Sequence, residues 1–441
     1  MTRLLKAAVA FLAVACAGAE ERSDPAAWTT VVDTIGDTIV TRTTGVADSA
    51  ATHTLVEEVT IGELDAQDEY SFGGINELEA SEDGRIYVFD RQVPALREYD
   101  VAGKYVRTIG HKGAGPGEYT QANGVAIHRD GRIVLWDAGT AHINVYRPDG
   151  TFLTSWPLPG GSGFYTSGAL FVDTAGNTYA RTRISDPPKD NAAASGRMFG
   201  TTGLVKWDRN GRIVDSLTPP PQTVEPQSLV ASRGGGTSVS SVPFSPRHMW
   251  VWSPLGYFIS AQSDRYSIIF DPPDGPVHRV EREAKPVSLD GDERAYYEER
   301  STASMRMTDP AWRWSGPSIP TVKGAINSLA PADDGRIWVS VAQPGQRVPE
   351  GELPPPPQVR VGDVNAVKMP PVRWRDPLVY DVFDPNGYYL GRVAAPPKTS
   401  FRTMRGDQVW AVRRDSLDVE QVVRFRVVPG FKEQKLDDSG R

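Results

Sequence analysis

The sequence predicts an all-β chain assembled from repeated four-stranded units, and three observations carry that expectation. Residues 75–119 read as four short strands with a tight turn after each, and the stretch that follows repeats them. Asn76, Asp83, Gly84, Arg85, Ile86, Asp90, Tyr99 and Gly103 recur as Asn123, Asp130, Gly131, Arg132, Ile133, Asp137, Tyr146 and Gly150, each displaced by 47 residues without a gap. The chain also holds 42 Gly and 36 Pro, as many short strands joined by turns require. A fixed period of about 40 to 50 residues with four strands per unit is the signature of a propeller blade. Blades add to one body, so 441 residues need not mean several domains.

The hydrophobic fraction of 39% is enough for a core and too high for a disordered chain. A net charge of −7 with no basic stripe argues against nucleic acid as a partner. At the N-terminus, Arg3 and Lys6 precede an apolar run over residues 7–15, which has the form of a secretory signal and is too short for a membrane span. The run ends at Cys16, the single cysteine, and Ala13 to Cys16 resembles the lipobox of bacterial lipoproteins. That resemblance implies lipidation of Cys16 as the first mature residue. With Ala17 next, it also implies export to the outer membrane or periplasm with a lipid anchor as the membrane contact. The alternative is ordinary signal cleavage after Ala17 or Ala19, with Cys16 discarded.

In order along the chain, residues 1–15 are the expected signal peptide. Residues 16–54 are an anchor tether and an accessory hairpin, the hairpin over 29–43 turning at Gly36 and Asp37. Residues 55–61 form a strand with no partner nearby. Blade one is 75–109 and blade two 123–156. Blade three runs 168–183 and 204–217 around an interruption at 185–203, and 219–242 reads as a loop rich in Pro, Gly and Ser. Blade four is 248–282, its Gly256 and Gly275 each 172 residues past Gly84 and Gly103. Residues 288–307 read as one short helical insertion, acidic near its start at Asp290 and Glu293. Blade five opens with Asn327, Asp334, Gly335, Arg336 and Ile337, which match Asn76, Asp83, Gly84, Arg85 and Ile86 at one offset of 251. It is interrupted over 343–375, where the prolines at 354–357 favour a stiff extended segment, and resumes at 378–393. The last unit, 401–428, has three strands. The strand at 55–61 can supply the fourth and close a six-bladed ring over residues 55–429, with 430–441 as a C-terminal tail.

Residues 110–119 (GHKGAGPGEY) followed by 123–137 (NGVAIHRDGRIVLWD) resemble an NHL-type repeat. The order of segments over residues 55–428 is similar to exported six-bladed propellers of bacteria described by fold alone. The resemblance implies a β-propeller and says little of function, since NHL-type propellers include protein binders, RNA binders and a few lyases.

Motifs for chemistry are sparse. HExxH, CxxC, P-loop and GxSxG patterns are all missing from the sequence. The histidines (His53, His111, His128, His142, His248, His278) have no ligand spacing, and no cofactor is expected. Gly113, Gly115 and Gly117 are turn residues. Gly84, Gly131 and Gly335 supply the positive φ of the first turn of their blades, while Asp90 and Asp137 are placed to accept hydrogen bonds in the next loop. The first position of each innermost strand reads Asn76, Asn123, Gly168, His248, Asn327 and then Lys398 or Thr399. This polar ring either caps incoming loops or presents Asn76, Asn123, His248 and Asn327 to a ligand.

Strand direction places all the long insertions on the face that carries this ring. They hold Phe199, Tyr296, Tyr297, Trp312, Trp314 and Trp374, which either pack the insertions down or grip a ligand. The expectation is a monomeric, non-catalytic binding or scaffolding propeller of the cell envelope. Its partner would be a protein, peptide or glycan held between the ring and Tyr296, Tyr297, Trp312 and Trp314. The alternative is a propeller enzyme of lyase or lactonase type with a metal at the channel mouth, where His248 is the one histidine the pattern places.

Overall fold

The computed structural model describes residues 22–23, 28–45, 51–64, 67–159, 169–184, 201–225, 227–352 and 367–432. Six blades of four antiparallel strands form a ring, and in the first five each strand lies outside the one before it. Blade one is Ile75–Ala80, Ile86–Asp90, Ala95–Tyr99 and Tyr105–Ile109, and blade two is Ala122–Ile127, Ile133–Asp137, His142–Tyr146 and Phe152–Pro157. Blade three is Leu170–Val172, Thr178–Arg183, Thr202–Trp207 and Ile213–Leu217, and blade four is His248–Trp252, Phe258–Gln262, Ser267–Asp271 and Val277–Arg282. Blade five is Ile326–Pro331, Ile337–Val341, Val379–Phe383 and Tyr389–Ala394. The middle strands are apolar throughout because both of their faces are covered by neighbouring blades. Ile86–Asp90, Ile133–Asp137 and Ile337–Val341 are buried at every position.

Local chemistry explains the period. Carboxylates of Asp100, Asp208 and Asp384 each accept backbone N–H bonds from two and four residues ahead, closing the outer turn of blades one, three and five, and Asp415 does the same between the second and third strands of blade six. At the inner turn Gly84, Gly131 and Gly335 have φ of +83°, +82° and +87°, a region costly for a residue with a Cβ. On the opposite face Asp90 accepts from the N–H groups of Gly73, Gly74 and Gln92, and Asp137 does the same with Thr120, Gln121 and Gly139. Each carboxylate thus ties the chain entering its blade to the turn leaving the second strand.

Blade six is Thr399–Arg405, Gln408–Arg414 and Glu420–Val428 from the C-terminal part of the chain, with Thr54–Ile61 from the N-terminal part as its outermost strand. The register runs antiparallel from Val422 opposite Ile61 to Val428 opposite Thr54. Ile61 is 2% exposed and packs with Phe72, Ile75, Trp410 and Val422 between blades six and one. The accessory hairpin, Thr29–Ile35 and Thr38–Thr44, extends blade four. Its second strand lies parallel to Val277–Arg282, Thr38 opposite Val277 and Thr43 opposite Arg282.

Two expectations are corrected. Residues 219–242 are not wholly loop but contain a hairpin, Ser228–Arg233 with Gly236–Ser241, turning at Gly234 and Gly235 with φ of +59° and +83°. Its Ser-rich strands have the composition of a loop, and the Gly-Gly pair is the signal that marked it. The helix is Gly291–Arg306, shorter than 288–307, because Asp290 caps it by accepting from the N–H groups of Asp292 and Glu293 and Val287–Ser288 pairs with Val322–Lys323. The first strand of blade six starts at Thr399, one of the two positions expected.

Replacing Ile61 by Ala removes a fully packed side chain at the seam. The expected cost is about 2 to 4 kcal/mol, read as a lowered urea midpoint of the whole unfolding transition. A change below about 0.5 kcal/mol would show that the seam does not hold the ring.

Candidate functional site

Three connections rise from one face and meet over blades four and five. They are the hairpin Ser228–Arg233 with Gly236–Ser241, the helix-bearing connection between blades four and five, and the insertion within blade five. The Trp312 indole donates to the Val230 carbonyl at 2.9 Å, and Arg300 donates to the Pro370 carbonyl at 3.2 Å. Arg373 stacks over Tyr296 at 5.1 Å, and Arg347 over Trp374 at 4.9 Å. Lys323 is buried between Glu293 of the helix and Asp376 of the blade-five insertion, 2.7 Å from each. One ammonium therefore fixes two insertions to each other.

Below these connections lies a cavity of about 610 Å³ between blades four and five. Its wall includes Tyr266, Arg282 and Arg392, which surround the buried carboxylate of Asp381. The Tyr266 hydroxyl donates to Asp381 at 2.7 Å, Arg392 Nε at 2.7 Å, and Arg282 Nε lies 3.1 Å away. Burial, followed by the Asp381 charge, pushes the Tyr266 hydroxyl well above its ordinary pKa, so it stays a donor. Arg265 and Lys285 are exposed at the rim, and among the described lining residues Asp264 is the one carboxylate.

The eight residues singled out from sequence occupy three places. Asn76, Asn123 and Asn327 sit at β-bulges of their innermost strands. Asn76 donates to Glu77 Oε1 at 2.9 Å and to the Ala122 carbonyl of blade two at 3.1 Å, and Asn327 donates to the Val341 carbonyl at 3.3 Å. Tyr296 and Trp312 are buried within the insertions. Tyr297 and Trp314 are partly buried, the latter two packing with Trp312, Leu229, Val242, Met305 and Phe244. His248 opens the first strand of blade four and faces blade three, apart from both groups. Cys16, Gly168, Phe199 and the prolines at 354–357 lie outside the described residues.

Sequence reasoning missed the acidic wall of the channel. Glu77 and Glu79, two apart on the innermost strand of blade one, share a face, and their pleat was the signal available. At the short-turn end of the channel, all six blades line a space of about 190 Å³ that includes Glu79, Asp333, Arg402 and Thr403. Burial raises the Glu77 carboxyl to about 7, opposed by Arg402. Burial also raises Glu79 well above the carboxylate range, the charges of Asp333 and Glu77 adding to it. Asp333 is raised by burial and held by Arg405, which donates to it at 2.9 Å. Among the described residues, no group of three His, Cys, Asp or Glu side chains is placed to hold a metal ion.

A family described as a 6-bladed beta-propeller matches residues 39–179, about a third of the chain. No curated protein matches the sequence. Solved structures of similar fold include a candidate exported protein from Bacteroides fragilis, 12% identical, covering 88% of this chain and 97% of that one at a TM-score of 0.43. A DUF4221-family protein from Bacteroides vulgatus is 9% identical over 85% of this chain and 97% of its own, with a TM-score of 0.48. Virginiamycin B lyase from Staphylococcus aureus is 9% identical over 84% and 98%, at 0.38.

The channel carboxyls make stability depend on pH. Glu77 has a folded pKa of about 7 against an ordinary 4.5, so the folded chain keeps a proton that the unfolded chain gives up as pH rises. Stability therefore falls across that window, and the loss is complete above it. Glu77→Gln keeps an acceptor for Asn76 and removes the ionisation. It is expected to be about 1 to 3 kcal/mol more stable than the parent near pH 8, with no gain near pH 4. Urea unfolding at the two pH values checks this, and an equal effect at both would refute it.

Proposed function

We propose that the chain is a non-catalytic binding propeller of the bacterial cell envelope that holds a carboxylate-bearing partner on its insertion-bearing face. The observation that carries this is the cavity of about 610 Å³ between blades four and five, beneath three mutually fastened insertions. Long connections gathered on one side of a stiff scaffold are where recognition is commonly built. The floor is rigid, because Asp381 and its partners are buried. The rim offers the exposed cations Arg265 and Lys285. Exposed rim charges steer an oppositely charged partner and lose strength as salt screens them. The NHL-type character of the repeats over residues 110–137 and export as a lipoprotein belong to the same proposal and rest on the sequence.

Two probes distinguish the chemical sources of carboxylate, poly-L-glutamate for an acidic peptide and polygalacturonate for an acidic glycan. At least one is expected to bind, more weakly as salt is raised, with uncharged polyethylene glycol of similar length as the control. Reversing both rim charges, Arg265→Glu with Lys285→Glu, should weaken that binding at least about tenfold while leaving thermal unfolding unchanged. Equal binding by parent and double variant would overturn the reading. Anchoring is tested separately by growth with a labelled fatty acid. Label should enter the parent and not Cys16→Ser, and equal incorporation into both would remove the lipid anchor.

A further inference from the structure

Blades three and four pack through aromatic rings at one end and part at the other. Trp250, Trp252 and Phe258 of blade four lie against Tyr179, Leu204 and Phe171 of blade three, with Trp252 and Tyr179 ring centres 4.8 Å apart. Toward the insertion-bearing ends of the same strands the rings give way to a second cavity of about 370 Å³. His248 and Gln262 are register partners on adjacent strands and stand side by side in its wall. Pro220, Pro221, Ala261 and Ile269 supply its apolar surface.

Three polar atoms in this wall are buried without a hydrogen-bond partner, Nδ1 and Nε2 of His248 and Oε1 of Gln262. Buried polar atoms in native folds are almost always satisfied, so three converging on one cavity mark a place built for something else to complete. The Gln262 amide nitrogen donates to Thr223 Oγ1, which fixes the amide and leaves its oxygen for the cavity. Burial lowers the His248 imidazole below its ordinary 6.5, opposed by the Pro220 carbonyl, which lies near the ring without meeting hydrogen-bond geometry. The ring is therefore neutral at physiological pH and carries one donor and one acceptor.

The chemistry of the occupant follows from that set. The wall asks for donors to two acceptors, the bare ring nitrogen and the amide oxygen, and for an acceptor to one ring N–H. A hydroxyl both donates and accepts, so adjacent hydroxyls on one small ring satisfy all three. Of the two guanidiniums in the wall, Arg279 is paired with Glu281 at 2.8 Å, and Arg265 is exposed on the rim shared with the cavity between blades four and five. The two prolines present flat C–H surface suited to the face of a saturated ring. A volume of about 370 Å³ is at the lower end of small-ligand pockets, which suits a single ring and not an extended chain. We propose that the crevice between blades three and four is a binding site for a neutral hexose-sized sugar unit, hydrogen-bonded by His248 and Gln262 and walled by Pro220 and Pro221. The site shares Arg265 with the cavity between blades four and five, but its hydrogen-bonding wall of His248 and Gln262 belongs to the crevice and does not depend on a carboxylate-bearing partner.

The test uses D-glucose, D-galactose, D-mannose and N-acetyl-D-glucosamine on the whole protein, detected by saturation-transfer NMR and quantified by calorimetry. At least one should bind with Kd of about 1 mM or tighter. His248→Phe and Gln262→Met should each weaken it at least about tenfold, a loss expected when a polar site loses one partner to the ligand. His111→Ala, on an exposed loop, should bind as the parent does. Binding should be constant above pH 6.5 and decline as acid protonates the imidazole and removes its acceptor. Thermal unfolding of each variant separates lost binding from lost fold, and if His248→Phe does not fold, Gln262→Met carries the test. Absence of binding by all four sugars at about 10 mM, or unchanged affinity in the folded variants, would overturn the proposal.

Discussion

The pairing of Thr54–Ile61 with Glu420–Val428 is the contact on which every other interface rests. A blade buries both faces only when it has a neighbour on each side, so an open ring would leave two apolar sheet faces in water. Ion pairs decorate this seam, Glu57 with Arg413 and Glu58 with Arg424 and Arg426. Pairs of this exposed kind contribute little net stability. The weight falls on Ile61, Val422, Trp410 and Phe425, apolar side chains almost wholly removed from water.

Buried charge does a different job at the insertion-bearing face. Asp381 is ringed by Arg282, Arg392, Tyr266 and Tyr389, contributed by blades four and five, and Lys323 sits between Glu293 and Asp376. Desolvating such groups offsets much of their attraction, so their main effect is to permit one arrangement of the elements that hold them. A slip of the helix along blade five would strand Lys323 without its carboxylates. The cavity floor is thereby preorganised, while its rim is left to water and to whatever docks there.

The ring was legible in the sequence because its determinants are local. An Asp that closes a turn on its own following N–H groups, and a Gly held at positive φ, must stand at fixed distances within each blade. They recur as Asp130 with Gly131 and Asp334 with Gly335, each Asp accepting from the N–H two residues ahead, while Asp83 with Gly84 holds the same positions and bonds Ser81 and Arg85 through side chains. What was illegible depends on pairing across the fold. Nothing near Thr38–Thr44 says that it lies parallel to Val277–Arg282, and the Ser228–Arg233 hairpin is written in residues that usually make loops. The polar positions at Asn76, Asn123 and Asn327 stand out in the sequence and sit at bulges in the fold, and a bulge and a ligand contact use the same amide chemistry. Glu77 and Glu79 carried no motif. Their perturbation comes first from burial inside the ring, with the Asp333 charge adding to that of Glu79 and Arg402 and Arg405 opposing, partners more than two hundred residues away in the chain.

The N-terminal part of the chain touches three blades in succession. Thr38–Thr44 augments blade four, His53 bridges to Val393 of blade five, and Thr54–Ile61 completes blade six. A ribosome makes these strands first and their partners last; Thr54 and Val428, which share a hydrogen bond, are 374 residues apart. The nascent chain therefore emerges with its seam strand unable to pair, and the blades accumulate as an incomplete arc until synthesis is nearly over. Such a long-range final step makes for slow closure.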